Sequence, residues 1–105
     1  MPDISQLFQL GQQVQGRLTQ MQTELAQQTV SGSAGGGMVT ATADGRGQVQ
    51  SIKIDPSIVA EGDLEMLEDL VVAAVMDAQR KADEVYRAEL KKLTGGMSLP
   101  FQFPI

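Results

Sequence analysis

The chain has 105 residues, 42% of them hydrophobic, and a formal net charge of −5. That length corresponds to one domain with a modest core. Cys and His are both missing, which excludes disulfides, thiolate or imidazole metal sites, cysteine nucleophiles and Ser-His-Asp triads. The only aromatic residues are Phe8, Tyr86, Phe101 and Phe103, so aliphatic side chains and methionine carry the packing. No stretch reaches the roughly 18 apolar residues of a spanning helix. Met1 to Leu10 lacks the basic-then-apolar order of a secretory signal. The expectation is a cytoplasmic protein with no membrane partner. The acidic balance disfavours a generic nucleic-acid binder, so the distribution of cations matters more than their total.

Residues 3–28 read as one amphipathic helix. Leu7, Val14 and Met21 recur every seven residues, and so do Ile4, Leu18 and Leu25, with Gly11 in the vacant slot. This is an apolar seam of more than three heptads. Asp3 is placed to cap the start. The other faces are rich in glutamine, with Arg17 and Glu24 as their only charges. Gly11 and Gly16 each cost the helix about 1 kcal/mol relative to Ala, so it needs a partner surface.

Residues 29–54 change to a strand pattern. Thr29-Val30-Ser31 is a short strand, Gly32 to Gly37 a flexible turn, and Met38 to Ala43 a second strand rich in β-branched residues. Asp44-Gly45-Arg46-Gly47 is a hairpin signal, with Gln48 to Ile54 returning. The result is a small antiparallel sheet of two to three strands whose edges need cover. Asp55-Pro56 stops it, and Ser57 to Gly62 is a connector with room for one helical turn.

Asp63 then caps a second long helix over 63–93. Its apolar stripe is Leu64, Leu67, Val71, Ala74, Val75, Ala78, Ala82 and Val85. Acidic residues crowd its start and basic ones its end, as the helix dipole favours. Thr94-Gly95-Gly96 ends it, and residues 94–105 form an apolar, proline-punctuated extended tail. The two helices measure roughly 40 and 45 Å, against a radius of gyration of about 13 Å for a compact chain of this size. They must project, and projecting apolar seams call for self-association.

Residues 1–79 carry three basic and ten acidic side chains, residues 80–105 five and three. Arg80, Arg87 and Lys91 fall within about 40° of one another on the second helix, nearly opposite its apolar face. With Lys81 and Lys92 they form a candidate surface for duplex phosphates, assisted by Arg17 and Arg46. The competing reading is a solvated face, because Asp77–Lys81, Arg80–Glu84 and Asp83–Arg87 are i,i+4 pairs. The glycine run is not a phosphate loop, since Met38 and Val39 stand where Lys and Ser/Thr are needed. Glu65, Glu68 and Asp69 could form a paired-carboxylate acid/base site or hold a magnesium ion, but dipole complementation explains them without chemistry. Met21, Met38, Met66, Met76 and Met97 read as core filler. The aromatics are too scattered to stack bases. No cofactor, metal or catalytic constellation is indicated, and the expectation is a protein that is not an enzyme.

Several segments together resemble the YbaB/EbfC family of nucleoid-associated proteins. They are Val30-Ser31-Gly32 with the glycine run, Gly37-Met38-Val39, Ile52-Lys53-Ile54-Asp55-Pro56-Ser57, Glu65-Met66-Leu67-Glu68-Asp69-Leu70, Asp77-Ala78, and Leu93-Thr94-Gly95-Gly96-Met97 with Leu99-Pro100. The resemblance implies an α+β protomer of helix, sheet and helix, forming a tweezer-like homodimer. It implies binding of double-stranded DNA without catalysis, in a bacterial nucleoid or a cyanobacterial or plastid equivalent. Basic residues on the long helices would meet the DNA. The first helix departs from the family habit, having Arg17 and glutamines where members often carry lysines, and Met76 replaces an Asn before the aspartate. Two readings stand at this point. One is a dimeric, non-enzymatic DNA-binding protein of low sequence selectivity. The other is a dimeric protein-interaction module of the same fold that serves a replication or repair protein.

Overall fold

Asp3 begins the first helix as its position predicts. In the computed structural model, which describes residues 3–95, its carboxylate accepts the Gln6 N–H at 2.9 Å. Helix α1 then spans Ile4–Gln27. Strands β1 (Thr29–Ala34), β2 (Val39–Asp44) and β3 (Val49–Ile54) form one antiparallel sheet in the order β1-β2-β3. A single turn, α2 (Pro56–Ala60), leads to the 32-residue helix α3 (Leu64–Gly95). The Asp63 carboxylate caps α3 by accepting the Met66 N–H at 2.9 Å. The architecture is α+β, with the expected helix, sheet and helix in order. Helix α3 runs two residues past its expected end, and the tail expected beyond it lies, from residue 96 on, outside the described residues.

The first strand is longer than its sequence suggests. Gly32, Ser33 and Ala34 belong to β1, paired with Ala41, Thr40 and Val39, and the turn spans residues 35–38, its three glycines at positive φ, so Met38, expected to open the second strand, belongs to the turn instead. Glycine at 32 serves a close approach rather than a loop. A Cβ there would lie 2.5 Å from the Ala74 carbonyl oxygen and nearer still to the Ala78 backbone nitrogen. The backbone of α3 therefore rests directly on β1.

That approach defines the core. Val39, Ala41 and Ala43 of β2 pack on Ala74 and Ala78 of α3, all fully buried. Val30, Ala34, Ile54, Leu67, Leu70, Val71 and Val75 rim this centre. Helix α3 lies over β1 and β2 and barely reaches β3. Two expectations fail here. Leu64 begins α3 beyond the sheet and is 67% exposed, and Met76 is 64% exposed. Met76 is two residues from both Ala74 and Ala78, so it points to the far side of the helix.

Helix α1 is anchored only at its C-terminal end. Met21 and Leu25 are its only buried residues, and the Leu25 carbonyl accepts the Gly45 N–H at 2.8 Å. Ile4, Leu7, Phe8 and Leu10 of the same helix are exposed. The helices project as their lengths require. The described chain measures 69 × 23 × 17 Å with a radius of gyration of 19.6 Å.

Replacing Gly32 by Ala forces helix and sheet apart and should cost about 3 kcal/mol, the upper range of overpacking. A Cβ at Gly16 meets nothing within 4 Å, so Gly16→Ala should be neutral or stabilise by up to about 1 kcal/mol. Urea denaturation of the two variants checks the contrast.

Candidate nucleic-acid interface

Because α3 is about 48 Å long at 1.5 Å per residue, its C-terminal half outruns the sheet and carries its charges on a projecting arm. Arg80 and Arg87 stand on the outer side of that arm, with side chains 59% and 60% exposed. From Arg80 to Lys92 the arm runs about 18 Å, close to five base-pair steps of a duplex. Lys91 lines a shallow cleft with Glu84, Arg87 and Ala88. The helical repeat thus brings together Arg80, Lys81, Arg87, Lys91 and Lys92 on one element.

Carboxylates accompany these cations, and all three anticipated i,i+4 pairs form. Arg80 reaches Glu84 at 2.7 Å and also Asp77 at 2.9 Å. Lys81 lies 3.5 Å from Asp77, and Arg87 lies 2.9 Å from Asp83. Lys92 is 3.4 Å from Glu89. Such exposed pairs add little net stability, but they hold each cation along the helix surface.

Asp77 is more than a partner of Arg80. Its second oxygen accepts the Ser33 backbone N–H at 3.1 Å, tying α3 to β1 beside the Gly32 contact. The Arg80 guanidinium, then the Ser33 N–H, hold the Asp77 carboxyl below its ordinary value, with Lys81 adding to the effect against the desolvation that opposes it. Asp77 chiefly, and Glu84, raise the Arg80 guanidinium in turn. Sequence reading found Lys81 as a partner of Asp77 but neither Arg80, one turn along the helix, nor Ser33, which only the position of the sheet supplies.

The two assisting arginines lie apart. Arg17 of α1 shares a shallow cleft with Gln20, Met21, Glu24, Glu89, Lys92 and Leu93, so it joins the end of the α3 arm. Arg46 sits in the β2–β3 turn, 3.4 Å from the buried Asp44 and 3.1 Å from Gln48. Burial works against ionisation of Asp44, yet the N–H groups of Gln48 and Arg46 and the Arg46 guanidinium together lower its pKa. Arg46 is therefore committed to its turn. It lines a cleft of about 350 Å³ with Gly45, Gly47, Gln79, Ala82, Asp83 and Tyr86. Lys53, which the sequence did not single out, is exposed on β3 opposite Thr40. Its alternation with Ile52 and Ile54 was the signal that could have placed it on the open face of the sheet.

Glu65, Glu68 and Asp69 are exposed on the first turns of α3. Among the described residues no group of acidic side chains is arranged to hold a metal ion, and no helix is long and apolar enough to cross a membrane. The Ile-Asp-Pro-Ser segment has a local role. Asp55 caps α2 by accepting the Ser57 N–H at 2.9 Å and hydroxyl at 2.8 Å, and these two bonds lower its pKa.

The profile of the YbaB/EbfC DNA-binding family matches residues 1–97. The chain belongs to that family. A nucleoid-associated protein of Gemmatimonas aurantiaca is 54% identical over 91 residues, covering 87% of this chain and 88% of that one. Another, from Thermoanaerobacter pseudethanolicus, is 46% identical over 101 residues, covering 96% and 91%. The fold matches the crystal structure of an uncharacterized Helicobacter pylori protein with a TM-score of 0.81 at 23% identity, over 90% of this chain and all of that one. The family is a DNA-binding one rather than an enzyme family. These relatives are bacterial, and they lend no support to the cyanobacterial or plastid setting.

The pairing of Asp77 has a pH signature. A carboxyl whose pKa is lowered on folding contributes stability that is full above its unfolded value and is lost as pH falls through the folded one. Asp77→Asn keeps an acceptor for Ser33 but removes the charge. The variant should be less stable than the parent near neutral pH, and the difference should close below the ordinary carboxylate range. Urea midpoints measured from neutral pH down to acid check this.

Proposed function

We propose that the protein is a homodimeric, nucleoid-associated DNA-binding protein that grips duplex phosphates with little sequence selectivity and performs no catalysis. The observation that carries this reading is the cationic run Arg80, Lys81, Arg87, Lys91 and Lys92 on the projecting half of α3, with Arg17 beside its end. A continuous helix bearing exposed arginine and lysine suits phosphate oxygens, and few of its side chains can address base edges. Membership of a DNA-binding family and relatives named for the nucleoid support the same reading.

The dimer surface we assign is β3. It is the sheet edge that α3 leaves uncovered, with Val49 39% and Ile52 41% exposed. A strand edge with apolar side chains is a pairing surface for another strand, and pairing with its own copy about a two-fold axis closes it. Such a dimer presents two α3 arms to one duplex.

One observation favours a second reading. Arg80, Lys81, Arg87 and Lys92 already hold carboxylates, which supports a dimeric protein-interaction module with weak DNA binding of its own and a replication or repair protein as partner. Fluorescence anisotropy of a labelled duplex across a salt series separates the two. On the first reading, log affinity falls linearly with log salt by about 0.9 per phosphate neutralised. The triple variant Arg80→Glu, Arg87→Glu, Lys91→Glu then loses at least tenfold in affinity while light scattering still gives a dimer. Unchanged affinity and slope in that variant would remove the α3 arm as the contact surface. No binding by the parent chain even at low salt would favour the second reading.

The dimer surface has its own test. Ile52→Lys places a charge on each copy of the edge, and light scattering should then give a monomer with unchanged circular dichroism. A dimer that survives this change would move the interface elsewhere.

A further inference from the structure

Helix α1 carries a second stripe besides its apolar seam. Gln6, Leu10, Gln13, Arg17 and Gln20 recur at alternating spacings of four and three residues. They line one face, about 100° around the helix from the seam. All five are exposed, Leu10 at 49%. Residues 4–23 contain no carboxylate, and Arg17 is their only charge. The stripe thus differs from the cationic run of α3, where Arg80, Lys81, Arg87 and Lys92 each face a carboxylate.

The foot of this stripe lies beside the end of the α3 arm. Arg17 and Gln20 share a shallow cleft with Glu24, Glu89 and Lys92. The C-terminal end of α1 is held at the β2–β3 turn, where the Leu25 carbonyl accepts the Gly45 N–H. The two helices therefore run antiparallel, and the half of α1 bearing Gln6, Leu10 and Gln13 extends beyond that cleft. The Gln20 amide already donates to Glu24 at 3.4 Å. Among the described residues the side-chain amides of Gln6 and Gln13 have no hydrogen-bond partner.

Dimensions and chemistry point to one ligand. A major groove about 12 Å wide admits an α-helix. Seven helical residues rise about 10.5 Å, and three base-pair steps rise about 10.2 Å, so Gln6 and Gln13 recur at the spacing of every third base pair. A glutamine amide donates to N7 of adenine and accepts from its N6 amino group, and an aliphatic side chain packs on the thymine methyl. Paired helices commonly divide the work in this way, one entering the groove while the other lies over the backbone.

We propose that the N-terminal half of α1 enters the major groove and reads A·T pairs. Gln6 and Gln13 each hold the N6–N7 edge of an adenine, three steps apart. Leu10 lies against a thymine methyl between them, and Arg17 meets the flanking phosphate. This base contact rests on the duplex-binding reading and adds to its phosphate grip a preference of about five- to tenfold. That is small beside the roughly thousandfold or more of a dedicated sequence reader.

The test is fluorescence anisotropy on three labelled duplexes of equal length. One is A·T-rich. The second has 7-deazaadenine for each adenine, which keeps Watson–Crick pairing but lacks the N7 acceptor. The third is G·C-rich. The full chain should bind the first about five- to tenfold more tightly than the other two. The double variant Gln6→Ala, Gln13→Ala keeps good helix formers at both positions. It should lose the preference while its G·C affinity and salt slope stay unchanged, since an amide neutralises no phosphate. Equal, salt-dependent affinity for all three duplexes overturns the base contact and leaves the phosphate grip standing. A preference that survives 7-deazaadenine, or survives in the double variant, means that duplex shape is read instead, and overturns it as well. No binding to any duplex even at low salt removes the duplex-binding reading and the base contact together.

Discussion

The contact of Gly32 with Ala74 and Ala78 sets the geometry of everything else. Glycine in the strand and alanine at the facing helix positions let the two backbones approach to a distance that no larger side chain permits. The core that results is thin, made of Val39 and alanines rather than Leu or Phe. Two ties flank it. Asp77 accepts the Ser33 N–H on the β1 side, and the Gln79 side chain donates to the Gly47 carbonyl at 3.2 Å on the other. Helix α3 is thus clamped near its middle, over residues 74–79, and its C-terminal half projects beyond the sheet beside the C-terminal part of α1.

Much of this was legible in the sequence, and the parts that were not share a cause. The heptad spacing of Ile4 to Leu25, the β-branched strands, the Asp44–Gly47 turn and the caps Asp3 and Asp63 are local patterns, and local patterns reveal elements. Gly32 was hidden because it opens a run of glycines whose composition reads as a loop. Yet Val30, Gly32 and Ala34 alternate with Ser31 and Ser33, so the period-2 signal of a strand was present in small residues. The exposure of Leu64 was not legible, because it depends on where the sheet ends beneath the helix, whereas that of Met76 was, since it lies two residues from both Ala74 and Ala78. The cationic stripe was legible down to its three i,i+4 ion pairs, but not to the i,i+3 pairs of Arg80 with Asp77 and Lys92 with Glu89. The dual role of Asp77 was not, since it joins residues 44 positions apart.

The same clamp separates the charges. The acidic excess lies in residues 1–79, chiefly on the connector and the start of α3 (Asp55, Glu61, Asp63, Glu65, Glu68 and Asp69), while the cations gather where α3 leaves the sheet. On that arm each paired carboxylate lies one helical turn from its cation, as Glu84 does from Arg80. A phosphate that approaches Arg80 meets a guanidinium already extended by Asp77 and Glu84 but also meets their negative charge. The net attraction per cation is then smaller than for a lone arginine, and added salt weakens the internal pairs and the phosphate contacts alike.

Weak individual contacts make geometry decisive. A single arm that offers a few half-neutralised cations gains little from one encounter with a duplex. Two arms held rigidly in one dimer gain more, because the second engages at the effective concentration set by the first. The gain exists only if the arms are stiff and fixed relative to each other. In the proposed dimer, the clamp near the middle of α3 and the continuous helix from Leu64 to Gly95 would supply the stiffness, and pairing at the β3 edge would fix the two arms relative to each other. On this account the close packing at Gly32 and the affinity for DNA are linked: loosening the helix on its sheet would leave every cation in place and still weaken binding.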